Sequence, residues 1–174
     1  MSDETFQIIP YQARHLAQVT AIYAHHVLHG TASFEEVPPT EAEIAERFSG
    51  LLEDDYPILV AITDDEKVIG YAYGGPHKLR SAYRFTVEDS IYVAPGMQRR
   101  GIGRALLSAL VDECRKGPFH QMLAVIGDSN NESSIGVHSA CGFSHFGTAK
   151  NIGFKFGQWL DVVYMQRSLK EDKG

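Results

Sequence analysis

The 174-residue chain has only two cysteines, Cys114 and Cys141, and they form no CxxC pair. This excludes the disulfide framework of a small secreted domain. The chain also lacks any apolar run close to the roughly 18 residues that a membrane span needs. With 16 Lys and Arg against 22 Asp and Glu, its formal net charge is −6, so it lacks the basic surplus of a nucleic-acid-binding or membrane-surface protein.

The chain start, MSDETFQIIP, has neither the positive region nor the apolar region of a signal peptide. We therefore expect a reduced, cytoplasmic protein without nucleic-acid or membrane partners. Apolar residues make up 44% of the chain and charged residues 22%, which is typical of a globular protein. The length predicts a single domain over residues 1–174 with one sizeable core.

Hydrophobic periodicity predicts alternating helices and strands. The helices are expected at residues 13–28, 102–116 and 131–141, and another runs from Thr40, which forms a capping box with Glu43, towards Leu52. The strands are expected at residues 5–10, 57–63, 68–73, 85–93, 122–126, 143–149 and 160–168. Gly74-Gly-Pro76 is expected to end the third strand, and a Gly-rich loop to join the last two. Because two strand pairs form antiparallel hairpins, we predict a mixed α/β sheet.

The most informative segment is residues 90–107, where a strand leads through a glycine-bearing turn into a helix. Gly101 and Gly103 allow backbone N–H groups to approach a ligand, and the helix N-terminus attracts anions. Arg99, Arg100 and Arg104 add positive charge there, which favours a phosphorylated ligand. Leu106 replaces the third glycine of GxGxxG, and GxxxxGK[ST] is absent, which excludes a Rossmann site and a P-loop site. A plain tight turn between strand and helix stays an alternative.

Two motifs carry a family resemblance. Gln98-Arg-Arg-Gly101-Ile-Gly103 matches the Q/R-x-x-G-x-G/A loop of the GCN5-related N-acetyltransferases (GNAT), and residues 131–143 resemble their later N…GF helix. Within that superfamily the chain resembles the phosphinothricin and methionine sulfoximine N-acetyltransferase group. The matching segments are Thr31-Ala-Ser-Phe34, Tyr56-Pro57, Gly70-Tyr-Ala-Tyr-Gly-Gly-Pro76, Lys78-x-Arg80, Ala82-Tyr83, Thr86-Val-Glu88, Ala124-Val-Ile-Gly127 and Phe156-Gly-Gln-Trp-Leu-Asp161.

The resemblance implies the GNAT fold: a mixed, mostly antiparallel central sheet flanked by helices, with a splayed parallel strand pair holding acetyl-CoA. The parallel pair would be the strands at residues 85–93 and 122–126. The cofactor-binding residues that it implies are Ile91, Tyr92 and Val93 for the pantetheine arm, Arg99, Arg100, Gly101, Ile102, Gly103 and Arg104 for the pyrophosphate, and Asn130 and Ser139 nearby.

Glu88 is the candidate general base, since the family places a carboxylate just before the coenzyme-binding segment. Such a carboxylate can take the amine proton directly or through a water. The alternative is a solvated residue or an ion-pair partner of Arg80 or Arg84. Asp89 is the adjacent carboxylate, but strand alternation directs it to the opposite face.

His138 stands where much of the superfamily has a tyrosine that protonates the leaving thiolate, and the phosphinothricin group also carries histidine there. An imidazole titrates near neutrality and can act as an acid or within a relay. The alternative is a helix histidine packed against the sheet.

Lys78 and Arg80 are expected to bind an anionic substrate, because two cations can hold a carboxylate together with a phosphinate-like or sulfoximine group. Phe34 and Tyr83 would line the pocket, and the resemblance adds Leu79, Asp89 and Ser90 as substrate-binding residues. A solvated basic loop is the alternative for the two cations.

The sequence thus predicts an acetyl-CoA-dependent N-acetyltransferase for a small amino-acid-like amine, working by direct transfer, and the family implies a homodimer. A different amine (an ordinary amino acid, a polyamine or a protein N-terminus) or a non-catalytic acyl-CoA-binding module are the alternatives. His25 and His29 share a helix face at a metal-binding spacing, but no third ligand accompanies them, so we expect no metal.

Overall fold

A computed structural model of the chain describes residues 5–170; residues 1–4 and 171–174 of the expected domain lie outside this range. The strands are β1 (Phe6–Pro10), β2 (Ile58–Thr63), β3 (Val68–Pro76), β4 (Thr86–Val93), β5 (Gln121–Gly127), β6 (Ser144–Lys155) and β7 (Gln158–Ser168). The helices are α1 (Leu16–His29), α2 (Glu41–Glu53), α3 (Ile102–Lys116) and α4 (Glu132–Ala140), with 3-10 turns at Ala13–His15 and Ser81–Tyr83. Among residues 5–170, no helix has the length and apolar content to cross a bilayer.

The seven strands form one sheet in the order β1-β2-β3-β4-β5-β7-β6. Every neighbouring pair is antiparallel except β4 and β5, which are parallel. The predicted mixed, mostly antiparallel sheet is therefore confirmed. Strands β2 and β3 lie inside the sheet and are buried almost throughout, as their continuous apolar sequences require.

The helices cover both faces of the sheet. Phe48 of α2 packs against Tyr71 and Tyr73 of β3, so α1 and α2 lie on one face. The apolar stripe of α3, which includes Leu106 and Leu110, is fully buried against the opposite face. The core thus has two layers, one on each side of the central strands.

The parallel pair separates partway along its length. Its register covers only Thr86↔Gln121, Val87↔Met122 and Glu88↔Leu123, although both strands continue for several residues. Meanwhile the other edge of β4 stays paired with β3 as far as Val93. The residues of β4 after Glu88 therefore turn a strand edge toward a widening gap.

Two predicted strand ends were wrong. Strand β3 continues through Pro76, because this proline is the last strand residue and interrupts no further ladder bond. Strand β6 continues to Lys155 and returns through the turn at Phe156 and Gly157, where we expected a longer Gly-rich loop. Two register shifts in β6, before Gly147 and before Gly153, absorb the extra residues.

Candidate active site

The gap between β4 and β5 holds a small notch that opens into a larger groove. The notch has a volume of about 60 Å³, and β4 and β5 supply most of its lining, together with Ala32 and His138. The groove, of about 450 Å³, runs from the notch to the N-terminus of α3. It is lined by His26, Gly30, Thr31, Ala32, Ile91, Tyr92, Val93, Met97, Gln98, Arg99, Gly101, Ile102, Gly103, Arg104, Asp128, Asn130, Asn131, Ser133, Ser134, Val137 and His138.

The turn before α3 is built to present backbone donors. Gly101 caps the helix at φ 78°, in the left-handed region that glycine adopts without strain. The first repeating helical bond runs from Ala105 N–H to the Gly101 carbonyl, so the N–H groups of residues 102–104 precede the helical ladder. Arg99 and Arg104 line the groove at the same place. These donors, the helix dipole and the two cations together form an anion site.

His26 ties α1 to the end of β4. Its Nε2 lies 2.8 Å from the Val93 carbonyl oxygen, and its ring lies 5.4 Å from the Tyr92 ring. Burial lowers the pKa of His26 despite this bond, so the neutral form, with its proton on Nε2, is favoured. The contact fixes the strand segment that borders the groove.

On the α3 face of β4, Asp89 and His138 form a buried pair. His138 Nε2 lies 2.9 Å from Asp89 Oδ2, and the two side chains are only 4% and 3% exposed. His138 Nδ1 lies 2.7 Å from the Ser134 carbonyl oxygen, so both ring nitrogens face acceptors. Burial lowers the pKa of His138, but the Asp89 carboxylate and the Ser134 carbonyl outweigh it, so the net shift is upward and the imidazolium is favoured.

On the opposite face, Glu88 looks into a wide cleft of about 680 Å³. The cleft is lined by His77, Lys78, Tyr83, Thr86, Glu88, Gln121, Leu123, Val125, Phe146, Tyr164 and Gln166. The Glu88 carboxylate is 33% exposed and bonds His77, whose Nδ1 lies 3.1 Å from Oε2. Burial raises the pKa of Glu88, the His77 contact lowers it, and the net shift is upward. The ion pairs with Arg80 or Arg84 considered above are replaced by this histidine.

The loop between α1 and α2 is fastened over β5 and β6. Buried Lys155 donates from Nζ to the carbonyls of Gly30 and Ser33, at 2.9 and 2.7 Å. The Phe34 ring lies so close to Gly127 and Gly153 that a Cβ on either glycine would come within 3 Å of it. This arrangement brings Thr31 and Ala32 to the groove, a placement that the sequence did not predict.

The structure brings most of the predicted site residues together. Ile91, Tyr92, Val93, Arg99, Gly101, Ile102, Gly103, Arg104 and Asn130 line the groove, and Lys78, Tyr83 and Glu88 line the cleft. Asp89 and Ser90 line the notch instead of the cleft. Phe34 is partly exposed beside Gly127 and Gly153 and is not among the cleft residues.

Besides Phe34, four further predicted residues line none of these three cavities. Leu79 is 93% exposed, Arg80 is exposed beside it, and neither lines the cleft. Arg100 and Ser139 are exposed and do not line the groove. Ser134 lines it in place of Ser139, because Ser134 lies one helical turn before His138 on the same face, whereas Ser139 is rotated by about 100°. His77 was missed altogether.

The remaining metal and thiol candidates form no site. Among the described residues, no group of three or more His, Cys, Asp and Glu side chains is arranged to hold a metal ion. The His25 and His29 rings pack against each other with their centroids 4.8 Å apart and their planes tilted by 46°. Burial raises the pKa of the Cys114 thiol to about 12 and also raises that of Cys141, so neither cysteine is an activated nucleophile.

Known proteins share this arrangement. The sequence profile of the Acetyltransferase (GNAT) family matches residues 19–143. The chain is 53% identical over 154 residues to a phosphinothricin N-acetyltransferase from Alcaligenes faecalis. The aligned region covers 88% of this chain and 78% of that relative. It is 40% identical over 156 residues to an L-methionine sulfoximine/L-methionine sulfone acetyltransferase from Salmonella typhimurium, with 89% and 90% covered. A solved GNAT superfamily phosphinothricin acetyltransferase from Sinorhizobium meliloti, in complex with AcCoA, matches with a TM-score of 0.93 at 47% identity over 97% of this chain and 91% of that one.

A parallel strand pair that splays beside an anion-binding helix N-terminus defines an acyltransferase site, and the chain belongs to the GNAT family of acetyltransferases. The predicted fold is thereby confirmed. Within the family, the chain is similar to the phosphinothricin and methionine sulfoximine acetyltransferases, as its motifs predicted.

Proposed function

We propose that this enzyme transfers the acetyl group of acetyl-CoA to the amino group of a small amino-acid-like substrate, such as phosphinothricin or methionine sulfoximine. The observation that carries the proposal is the position of Glu88. It is the last residue of β4 paired with β5, so it lies where the splayed strands open and faces a separate cleft. The names of the similar enzymes support the same donor and substrate class.

The groove offers an anion site and an unpaired strand edge, which are the two features that acetyl-CoA needs. Arg99, Arg104 and the first N–H groups of α3 would hold the pyrophosphate. The edge of β4 at residues 91–93 would pair with the pantetheine arm, since β5 has moved away from it. Acetyl-CoA, when bound, supplies an acetyl group activated as a thioester.

Glu88 would act as general base. An amino-acid amine is an ammonium ion at neutral pH and must lose a proton before it can attack a carbonyl carbon. A carboxylate with a raised pKa suits that task, because catalytic bases work best with a pKa near the operating pH. The freed amine would attack directly. The inert thiols of Cys114 and Cys141 argue against an acyl-cysteine route.

His138 would stabilise the leaving thiolate. It lines both the notch and the groove, and its two hydrogen-bond acceptors favour the positively charged form. A buried cation beside a developing anion is worth more than the same charge in water. Because Ser134 and Asp89 engage both of its ring nitrogens, His138 would act on the thiolate through its charge.

In the cleft, Lys78 would bind the acidic end of the substrate. Its ammonium lies 5.2 Å from the centre of the Tyr83 ring, so the cation is directed along the cleft wall by an aromatic face. Gln121, Tyr164 and Gln166 add polar groups, and Leu123 and Val125 provide an apolar floor. One cation and one carboxylate, Lys78 and Glu88, among neutral polar groups suit an amino acid that carries both an acidic end and an ammonium group.

We also propose a homodimer formed through the β6–β7 hairpin. Five large apolar side chains of the hairpin are more than half exposed: Phe146, Ile152, Phe154, Phe156 and Trp159. Phe154 and Trp159 pack against each other at 5.1 Å and form one patch. Light scattering after gel filtration should give twice the 19.3 kDa chain mass, and Trp159→Glu should give monomer.

The function is tested by thiol release from acetyl-CoA with phosphinothricin, methionine sulfoximine, the common amino acids and spermidine. Saturable turnover with the first two substrates is expected. Turnover with other amines alone would keep the chemistry and overturn the substrate class. Absence of turnover with every amine, while calorimetry still detects acetyl-CoA binding, would leave only an acyl-CoA-binding protein.

A further inference from the structure

His77 lies in the cleft beside Glu88, but the mechanism above gives it no role. It directly follows β3, whose last register pairs with β4 are Gly75↔Glu88 and Pro76↔Val87. This register brings the His77 ring alongside the Glu88 carboxylate, with Nδ1 3.1 Å from Oε2. The His77 side chain is only 16% exposed, so the contact is shielded from water on most sides.

The orientation of the His77 ring is fixed by its neighbours. Tyr83, from the 3-10 turn at Ser81–Tyr83, packs its ring nearly perpendicular to that of His77 at 5.6 Å. Lys78 lies over the same tyrosine ring. The three side chains and Glu88 therefore form one row along the cleft wall, and His77 has little freedom to turn away from the carboxylate.

The chemistry of the two side chains determines which nitrogen of His77 carries the proton in its bond to Glu88. An ionised carboxylate only accepts hydrogen bonds, so His77 must carry its proton on Nδ1 to bond Glu88. The other titratable groups around Glu88 are Lys78, Tyr83 and Tyr164 in the cleft, Tyr73 on β3 and Asp89 on its own strand. Within residues 5–170, the hydrogen bond to the Glu88 carboxylate comes from His77.

We propose that His77 is a positioning residue for Glu88: its Nδ1–H holds Oε2, keeps the carboxylate ionised in a partly desolvated cleft, and leaves Oε1 directed to the substrate ammonium. This inference rests on the proposed function for its catalytic meaning, but the contact itself can be measured without turnover. The proton of the ammonium passes to Glu88, and His77 loses and gains none in that step.

Burial alone disfavours the charged carboxylate. The pKa of Glu88 is raised by burial and by Asp89, and the bond from His77 opposes both. Loss of that donor should therefore raise the pKa of Glu88 further and move the acid limb of the reaction to higher pH. A merely structural histidine would change stability without moving the limb.

Three variants separate the donor from the ring. His77→Phe keeps an aromatic ring against Tyr83 and removes the donor. His77→Asn places an amide N–H close to the position of Nδ1 and does not titrate, so it should rescue the function. His77→Gln is the matched control, because its amide reaches past that position. Thermal unfolding and acetyl-CoA binding of each variant establish that it is folded.

The direct readout is the titration of the Glu88 carboxyl carbon by 13C NMR, assigned through its disappearance in Glu88→Gln. The midpoint is expected to rise in His77→Phe and to return towards the native value in His77→Asn. The kinetic readout is kcat/KM against pH. At the acid end it should fall about tenfold in His77→Phe for each unit that the limb moves, with little loss at high pH. The substrate amine titrates equally in all variants, so the difference belongs to the enzyme.

An unchanged NMR midpoint in His77→Phe overturns the inference, whatever the kinetics show. A midpoint that rises equally in His77→Phe and His77→Asn overturns it too, because the donor would not be what matters. A midpoint that moves while the acid limb stays fixed upholds the role of His77 at Glu88 and overturns Glu88 as the base. The failures of the two proposals are thus distinguishable.

Discussion

Two carboxylate–histidine pairs lie one residue apart on β4, on opposite faces of the sheet. Glu88 bonds His77 at 3.1 Å in the open cleft, whereas Asp89 bonds His138 at 2.9 Å in the closed layer beneath α3 and α4. Glu88 is one-third exposed, and Asp89 is 3% exposed. Two consecutive residues of β4, each a carboxylate paired with a histidine, thus lie in two different environments.

The difference in exposure and hydrogen bonding suits the two pairs to different roles. In the open pair, both side chains line a wide cleft and the carboxylate is one-third exposed. In the closed pair, both imidazole nitrogens are taken by acceptors, so His138 joins α4 to β4 across the gap. Greater exposure to water therefore suits the open pair to the proposed proton transfer, whereas the closed pair suits a structural and electrostatic role.

We expect the largest effect on activity from a substitution of Glu88, the carboxylate of the open pair. Glu88→Gln keeps the shape and the hydrogen bond from His77 but cannot take a proton. We expect kcat/KM with phosphinothricin to fall about 10²- to 10⁴-fold, which is the usual worth of a general base. Acetyl-CoA binding measured by calorimetry should be unchanged. Equal turnover in Glu88→Gln and the native enzyme would remove the base assignment.

Breaking the closed pair should instead cost stability. Asp89→Ala leaves His138 buried without its charge partner, and removal of one member of such a pair costs about 3 to 5 kcal/mol. In a chain of this size we expect Tm to fall by about 10 °C. Glu88→Ala is the matched control on the open face and should lose little. Similar melting temperatures for the two alanine variants would contradict the division between the faces.

Part of this comparison could be predicted from the sequence. Strand alternation predicts that Glu88 and Asp89 lie on opposite faces of the sheet. The glycines and arginines around Gly101 predict an anion site there. The partner of Glu88 could not be found, because it depends on the cross-strand register at Gly75. The pattern Gly74-Gly-Pro76 predicts an earlier end of that strand, because glycine and proline usually terminate strands.

The hydrogen-bond partner of Asp89 could not be predicted from the sequence either. His138 was known as a helix residue, but its distance from β4 depends on how α4 packs over the gap between β4 and β5. A separation of 49 residues along the chain leaves no local signal for that contact. In contrast, the helical phase of Ser134 relative to His138 is a local property and could have been used.

A third prediction sharpens the comparison through pH. The pKa of His138 is raised in the folded protein, so its contribution to stability is complete below about pH 6.5, the unfolded value, and is lost as pH rises through the folded value. The free energy of unfolding measured with urea should therefore fall as the pH rises above about 6.5. Asp89→Asn keeps a hydrogen-bonding group and removes the charge, so its profile should be flatter. Parallel profiles would show that the pair is not ionic.

The smallest effect concerns the stability cost of the open pair. The folded pKa of Glu88 is raised, so this group favours the folded state below about pH 4.5, near its unfolded value, and that contribution is lost as pH rises through the folded value. The ionised carboxylate therefore makes the native enzyme slightly less stable at neutral pH than a neutral residue would. Glu88→Gln should raise Tm by about 2 °C at pH 8, and the gap should narrow toward pH 4. A gap of the same size at both values would mean that the gain comes from packing, and the carboxylate would then carry no desolvation cost in the cleft.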